Sequence, residues 1–358
     1  MFSKFFSKLS VLLIATLLTA CGGGGGSTST STPPVAATCS SSQVLVNGVC
    51  TNPTPTVVPA NLQTTVATPT YQVDSVELRA FTELNNFRKM VGLGLLAQNS
   101  KIDLAAANHA NYIAVNTDAD VTVFGHYEVA TKAGFTGVAP GDRTAFTGYG
   151  PVASEVATSN NYKARNQSPV EGFIGSVYHR STLLMQCPRD VGVGFQDHIG
   201  PNGLIVSPVI IDLGFNQISG CQTNASDFVY SYPVANQTNI PVTMSPETPK
   251  PFDVPKDLYG IEDWKNNTSY PISIGVYDGY VLTMDSMLVT EQGSTTPLQM
   301  RVINNSNDAN KIIQKNEIVF VGTAPFKPST TYNIVFKGAA NGKPITKEFS
   351  ITTAATAN

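Results

Sequence analysis

The chain has 358 residues, of which 42% are hydrophobic and only 13% charged, and its net charge is −3. That length allows two or three domains with their own cores, and the low charged share fits an extracytoplasmic protein with polar, uncharged loops. A slightly negative balance with no basic stripe excludes the electrostatic footprint of a nucleic-acid partner.

The N-terminus reads as an export signal. Lys4 and Lys8 precede an apolar run, Val11 to Leu18, too short to span a bilayer. Leu18-Thr19-Ala20-Cys21 then resembles the lipobox cut by bacterial signal peptidase II. The resemblance implies a mature chain that starts at a lipidated Cys21 and meets a membrane through that anchor. Gly22 stands where an aspartate would favour inner-membrane retention, so an outer-membrane lipoprotein facing periplasm or cell surface is expected. Residues 1–21 are thus assigned to the signal, and residues 22–70, rich in Gly, Ser, Thr and Pro, to a flexible linker. Besides Cys21 the chain has Cys39, Cys50, Cys187 and Cys221, which allow three pairings. The local one, Cys39–Cys50 with Cys187–Cys221, needs least, and it calls for an oxidising compartment. Zinc competes for these cysteines, but no spacing resembles a CxxC pair.

Helical periodicity begins near residue 78. Leu78, Phe81, Leu84, Phe87 and Val91 form one stripe, ended by Gly92 or Gly94. A capping box, Ser100 to Asp103, opens a second helix whose stripe is Ile102, Ala106, His109 and Ile113. His109 lies among small apolar residues and is read as a packed, hydrogen-bonded core histidine. Residues 116–167 are loop-rich and glycine-punctuated, and they hold His126, Glu155 and several aromatics. Ser168 as N-cap, Pro169 at the first position and Glu171 three residues after the cap predict a third helix running to His179. Two strands follow, Val191–Phe195 and Leu204–Ile211, with Pro208 expected to mark an edge or a bulge and His198 an exposed turn residue. Residues 223–250 are Asn-, Thr- and Pro-rich and are expected to link a first domain, 71–222, to a second, 251–358. In the latter, seven short strand-like runs (272–277, 280–283, 287–290, 298–303, 317–321, 331–336 and 347–352) argue for an all-β sandwich.

The region 73–221 resembles the CAP superfamily (cysteine-rich secretory, antigen 5 and pathogenesis-related proteins, also called SCP-like). Three features carry the likeness in order: Leu84-Asn85-Asn86-Phe87-Arg88 before the alanine-rich helix; the His126 loop leading to Ser154-Glu155-Val156-Ala157; and Val170 to Arg180 followed by Val191-Gly192-Val193-Gly194. The resemblance implies an α+β fold, an α-β-α sandwich with helices on both faces of a small sheet. It also implies a cleft lined by two histidines and two acidic residues that holds a divalent metal in some members. By position these are His126, His179 and Glu155, with Zn²⁺ or another divalent cation as the cofactor. Glu171 is the nearest candidate for the fourth place, and it is equally well placed to cap its own helix. Phe173 stands where the bacterial form has tryptophan. The closing strands after Pro328 resemble the immunoglobulin-like domains that follow CAP domains in some bacterial proteins.

The resulting functional expectation is a lipid-anchored protein that binds a metal, a lipid or sterol, or a partner protein in the His/Glu cleft, without catalysis. An envelope or host-protein adhesion role with a structural tetrad is the alternative. A hydrolase is the remaining one, metal-dependent or using Ser154 or Ser181 beside His179 and Glu155. No Gly-x-Ser-x-Gly elbow or His-Glu-x-x-His motif supports it.

Overall fold

The computed structural model describes residues 40, 44–46, 49–51, 57–151, 153–159, 168–200, 203, 207–215 and 218–356. The export signal, Cys21 and Cys39 lie outside them, and with them the lipidation site and the expected Cys39–Cys50 bridge. The chain divides into two units, 1–56 and 57–358. In the first, β1 (Val44–Val46) and β2 (Val49–Thr51) form an antiparallel hairpin with Leu45 opposite Cys50.

In the second unit the apolar stripe becomes α1 (Val76–Val91), capped by Ser75 Oγ on the Leu78 amide and closed by Gly92 at φ 85°, a conformation glycine adopts without strain. Asn85 exchanges two hydrogen bonds with the Leu96 backbone, and the buried Arg88 donates to the carbonyls of Gly94, Leu183 and Met185. The Leu84–Arg88 string therefore ties its helix to distant chain. After the short β3 (Ala97–Gln98), α2 (Ser100–Asn116) is capped by Asn99 rather than Ser100. Asp103 is not half of a capping box: it accepts from Tyr71 Oη, Gln98 Nε2 and the Val193 amide.

One mixed sheet has the order β3-β5-β6-β4, with β4 (Ala153–Ser159), β5 (Asp190–Phe195) and β6 (Pro208–Gly214); β3 runs parallel to β5 and the other pairs are antiparallel. The alternation Val-Gly-Val-Gly in β5 has a steric cause. A Cβ on Gly192 would lie 2.3 Å from the Asp103 amide nitrogen, and one on Gly194 2.2 Å from the Ala106 carbonyl carbon, so the backbone of α2 rests directly on that face. Val191 and Val193 point to the opposite face and join Phe81, Leu84 and Phe87 of α1 in the largest core. Gly194→Ala is expected to cost about 2–3 kcal/mol, read as a lower urea midpoint at unchanged slope; an unchanged midpoint would show that α2 is free to move away. Pro208 marks neither an edge nor a bulge: it opens the interior strand β6, a first position where a missing N–H is tolerated.

The loop-rich stretch also holds α3 (Pro140–Phe146). The expected third helix is two: α4 (Pro169–Ile174), capped by Ser168, and α5 (Tyr178–Leu183), which carries His179. They are separated at Gly175, and Ser176 Oγ turns back to the Phe173 carbonyl.

The stretch expected to be a linker is not one. It contributes β7 (Val229–Tyr232) and β8 (Gln237–Ile240) to two four-stranded sheets. After a short helix, α6 (Trp264–Asn267), come β9 (Ile272–Val276), β10 (Leu282–Glu291), β11 (Met300–Asn304), β12 (Glu317–Gly322), β13 (Thr331–Ala340) and β14 (Lys343–Thr353). The sheet orders are β11-β12-β9-β7 and β10-β13-β14-β8. The runs 280–283 and 287–290 fuse into β10, whose register shifts between Met284 and Ser286. A shift of this kind explains why one strand reads as two.

These sheets share the largest core with α1, α4, β5 and β6. Phe87 meets Tyr232 edge-on at 4.9 Å. Arg180, fully buried, lies between the rings of Tyr232 (4.9 Å) and Tyr270 (4.7 Å) and donates to the carbonyls of Ile174 and Pro271. Ser181 donates to Glu317, and Tyr178 Oη to Asp308. Cys187 and Cys221 are disulfide-bonded. Among the described residues no helix is long and apolar enough to cross a membrane.

Candidate functional site

A cleft of about 630 Å³ opens beside β4, lined by the 121–126 loop, the end of β4, Phe173, His179, residues 245–248, Glu262 and Trp264. Both nominated histidines reach it, from different sides of the sheet. His126 belongs to the side that packs α2, because it bonds Glu155, whose neighbour two residues on, Ala157, packs with Ala106 and Ala110 of α2. His179 follows Phe173, which packs in the α1 core and lies 5.1 Å from the His179 ring.

Each imidazole has Nδ1 close to a buried carboxylate. His126 Nδ1 lies 2.8 Å from Glu155 Oε1. Glu155 is buried and its other oxygen accepts from Arg143 Nη2 at 2.5 Å. His179 Nδ1 lies 3.2 Å from Glu247 Oε2 and 3.1 Å from Ser176 Oγ; the Ser176 hydroxyl donates to the Phe173 carbonyl, so its oxygen accepts. In both rings Nδ1 therefore carries a proton, and among the described residues Nε2 has no hydrogen-bond partner.

Glu247 is a site residue that the sequence concealed. Its side chain is fully buried and accepts the amides of Val177, Tyr178 and His179, which otherwise have no helical partner at the start of α5. Glu247 also lines the cleft. Glu171 is exposed, and it lies near Glu83 of α1, whose carboxyl burial and then the Glu171 charge push up to about 7. That position faces α1 and is not part of the cleft lining.

Behind Glu155 lies a buried charge network. Arg143 also donates to the His126 carbonyl, 3.1 Å away. His109 is buried as expected, but both its nitrogens face acceptors, Glu128 Oε1 at 3.0 Å and the Gly125 carbonyl at 2.8 Å, an arrangement that the ring with two N–H groups satisfies. The second Glu128 oxygen accepts from the Thr136 amide. Burial alone would raise the Glu155 carboxyl; the His126 hydrogen bond and the fields of His109 and Arg143 outweigh it and bring it down to about 2. Asp212, directly across from Glu155 in the β4–β6 ladder, is fully buried, and neither of its oxygens has a donor to accept from. Burial and then the Glu155 charge hold it far above the usual carboxylate range, so it is the neutral acid of the pair.

Sequence reasoning passed over Arg143, Glu128, Asp212 and Glu247. Asp212 had a signal, a lone charge inside the apolar run Val209 to Leu213. Glu247 had none. The serines nominated for hydrolysis are elsewhere: Ser181 serves Glu317, and Ser154 Oγ rests 3.4 Å from Met185 Sδ. His198 pairs with Asp118 at 3.0 Å. Among the described residues, no cluster of three or more His, Cys, Asp or Glu is placed to hold a metal ion.

No family model matches the chain, and no curated protein matches it. Among solved structures it is similar to an extracellular protein containing an SCP domain from Bacillus anthracis str. Ames, at 20% identity and a TM-score of 0.30; the likeness covers 38% of this chain and 39% of that one.

Proposed function

We propose that the cleft binds a divalent metal ion of the Zn²⁺ class through Nε2 of His126 and Nε2 of His179, and that the chain is a CAP-type binding protein rather than an enzyme. The observation that carries this reading is the matched arrangement of the two rings, each with Nδ1 on a buried carboxylate and Nε2 left for the cleft. Carboxylates placed behind histidines in this way fix the tautomer and raise the basicity of the ligating nitrogen. Two neutral imidazoles suit a borderline ion. With two protein donors, such an ion would keep open positions for a donor atom of a bound ligand. In this reading Glu155 and Glu247 orient the ligands and Glu171 takes no part.

The wider reading is an α-β-α sandwich joined to an immunoglobulin-like sandwich and tethered outside the cytoplasm by a lipidated Cys21. Helices α1 and α2 on opposite faces of one sheet support the first element. The Cys187–Cys221 bridge supports an oxidising compartment.

Calorimetric titration of the full chain with Zn²⁺ tests the metal site. Binding is expected in the wild type, with loss in His126→Ala and in His179→Ala and a 10–100-fold weakening in Glu247→Gln. Affinity unchanged in both histidine variants would sink the metal reading. No binding by the wild type would leave the four side chains as a structural network.

A further inference from the structure

The cleft has a feature unrelated to its histidines. Among the described residues β4 is an edge strand with β6 as its ladder neighbour, and three successive residues of it, Ala157, Thr158 and Ser159, line the cleft. Successive side chains of a strand point to opposite faces. Three in a row along one cavity therefore mean that the cavity runs along the strand's edge. The register shows which backbone groups lie there. The Gln196 amide bonds the Pro208 carbonyl, so in β6 the even-numbered residues turn their amides and carbonyls to β5 and the odd-numbered ones to β4. Ile211 faces Val156 and Val209 faces Thr158; hence Ser154, Val156 and Thr158 pair with β6. Glu155, Ala157 and Ser159 turn their backbone groups outward. Among the described residues none of these outward groups has a hydrogen-bond partner.

We infer that the cleft accepts an extended peptide segment of a partner protein, added as a fifth strand to the free edge of β4 and running between His126 and His179. An extended chain is the ligand whose own backbone matches a row of unpaired amides and carbonyls at the strand repeat. Exposed edges usually invite pairing with whole sheets. Here residues 124–126 and 245–248 line the same cleft as the β4 edge. The cleft lining contains Glu262 and no lysine or arginine, while Phe124, Phe173 and Trp264 supply apolar walls. This favours a peptide with apolar side chains and a neutral or basic charge. The inference does not depend on the metal reading.

The test begins with random heptapeptides displayed on phage and selected on the full chain. The enriched peptides are synthesised and titrated while following the emission of Trp264, the single tryptophan of the chain and a residue of the cleft wall. Each is then remade with one backbone amide N-methylated at a time. Strand addition predicts a period of two: methylation of the inward amides weakens binding at least tenfold, and methylation of the alternate ones changes it less than about twofold. Ser159→Pro, which removes an outward N–H without touching the β6 ladder, is expected to weaken binding as well. No enrichment, no change in Trp264 emission, or binding indifferent to the position of the methyl group would overturn the inference. Titrations in EDTA and in Zn²⁺ keep the two readings apart. Peptide binding that survives in EDTA and in His126→Ala, with zinc binding absent, rejects only the metal site; zinc binding without any peptide binding rejects only strand addition.

Discussion

A chain ending at residue 222 is expected to be recovered unfolded, although the sequence places a domain boundary there. The cut exposes Phe87, which loses Tyr232, and strips Arg180 of both flanking rings and of the Pro271 carbonyl. Ser181 loses Glu317, Gln186 Nε2 loses the Val276 carbonyl, and three amides at the start of α5 lose Glu247. Each large apolar side chain returned to water costs about 1.5–3 kcal/mol, and an unpartnered buried polar group about 1–3 kcal/mol. Five or six such losses match the 5–15 kcal/mol by which a whole domain is normally stable. Circular dichroism of residues 57–222 during heating is the measurement. A cooperative melt would show that the N-terminal part stands alone and that the shared core is dispensable.

Arg143→Met is expected to destabilise the full chain by about 3–5 kcal/mol, the cost of leaving a buried charge without its partner. The arginine is fully buried and holds Glu155 at 2.5 Å, so its loss leaves that buried carboxylate without its guanidinium partner. The effect depends on pH with a definite sign. Glu155 titrates near 2 in the folded chain against an ordinary 4.5. A depressed carboxylate contributes its stability in full above about 4.5 and loses it as pH falls toward 2. Asp212 works the other way: its raised carboxyl is a penalty at neutral pH that acid relieves. The wild type should therefore gain stability through Asp212 as pH falls toward 3.8, and lose it through Glu155 below about 4.5. The gap between wild type and Arg143→Met should narrow over the same range, since protonated Glu155 no longer needs the arginine. Urea denaturation of both proteins at pH 7 and at pH 3.5 measures this; a gap of equal size at both would show that Arg143 acts through packing alone.

The parts legible in the sequence are those whose cause is local. The stripe of α1, the Ser168 cap and the glycine alternation of β5 each encode a contact within a few residues or a repeating steric demand. β4 was not legible because Ala-Ser-Glu-Val-Ala-Thr-Ser has neither apolar alternation nor a β-branched run; its pairing with β6 makes it a strand. The same holds for β7 and β8, short strands in a Pro- and Asn-rich stretch that the neighbouring strands recruit. At the cleft, the order of His126, Glu155 and His179 along the chain is what singles them out in the sequence, whereas Glu171 is singled out only by its closeness to His179. The carboxylate beside His179, Glu247, comes from 68 residues beyond it, a distance that no local pattern spans.

The position of Glu247 also governs how the cleft moves. One carboxylate holds three consecutive amides and a cleft imidazole, and it sits on chain that continues into α6 and the two C-terminal sheets. Releasing His179 by local fraying would strand those amides, so the first turn of α5 opens only when residues 245–248 lift away with their sheets. Its amide protons should then exchange with solvent at the slow rate of the whole C-terminal half. His126 hangs from a loop and is one-third exposed, against 17% for His179. Of the two cleft imidazoles His126 is thus the more accessible to a ligand arriving from solvent.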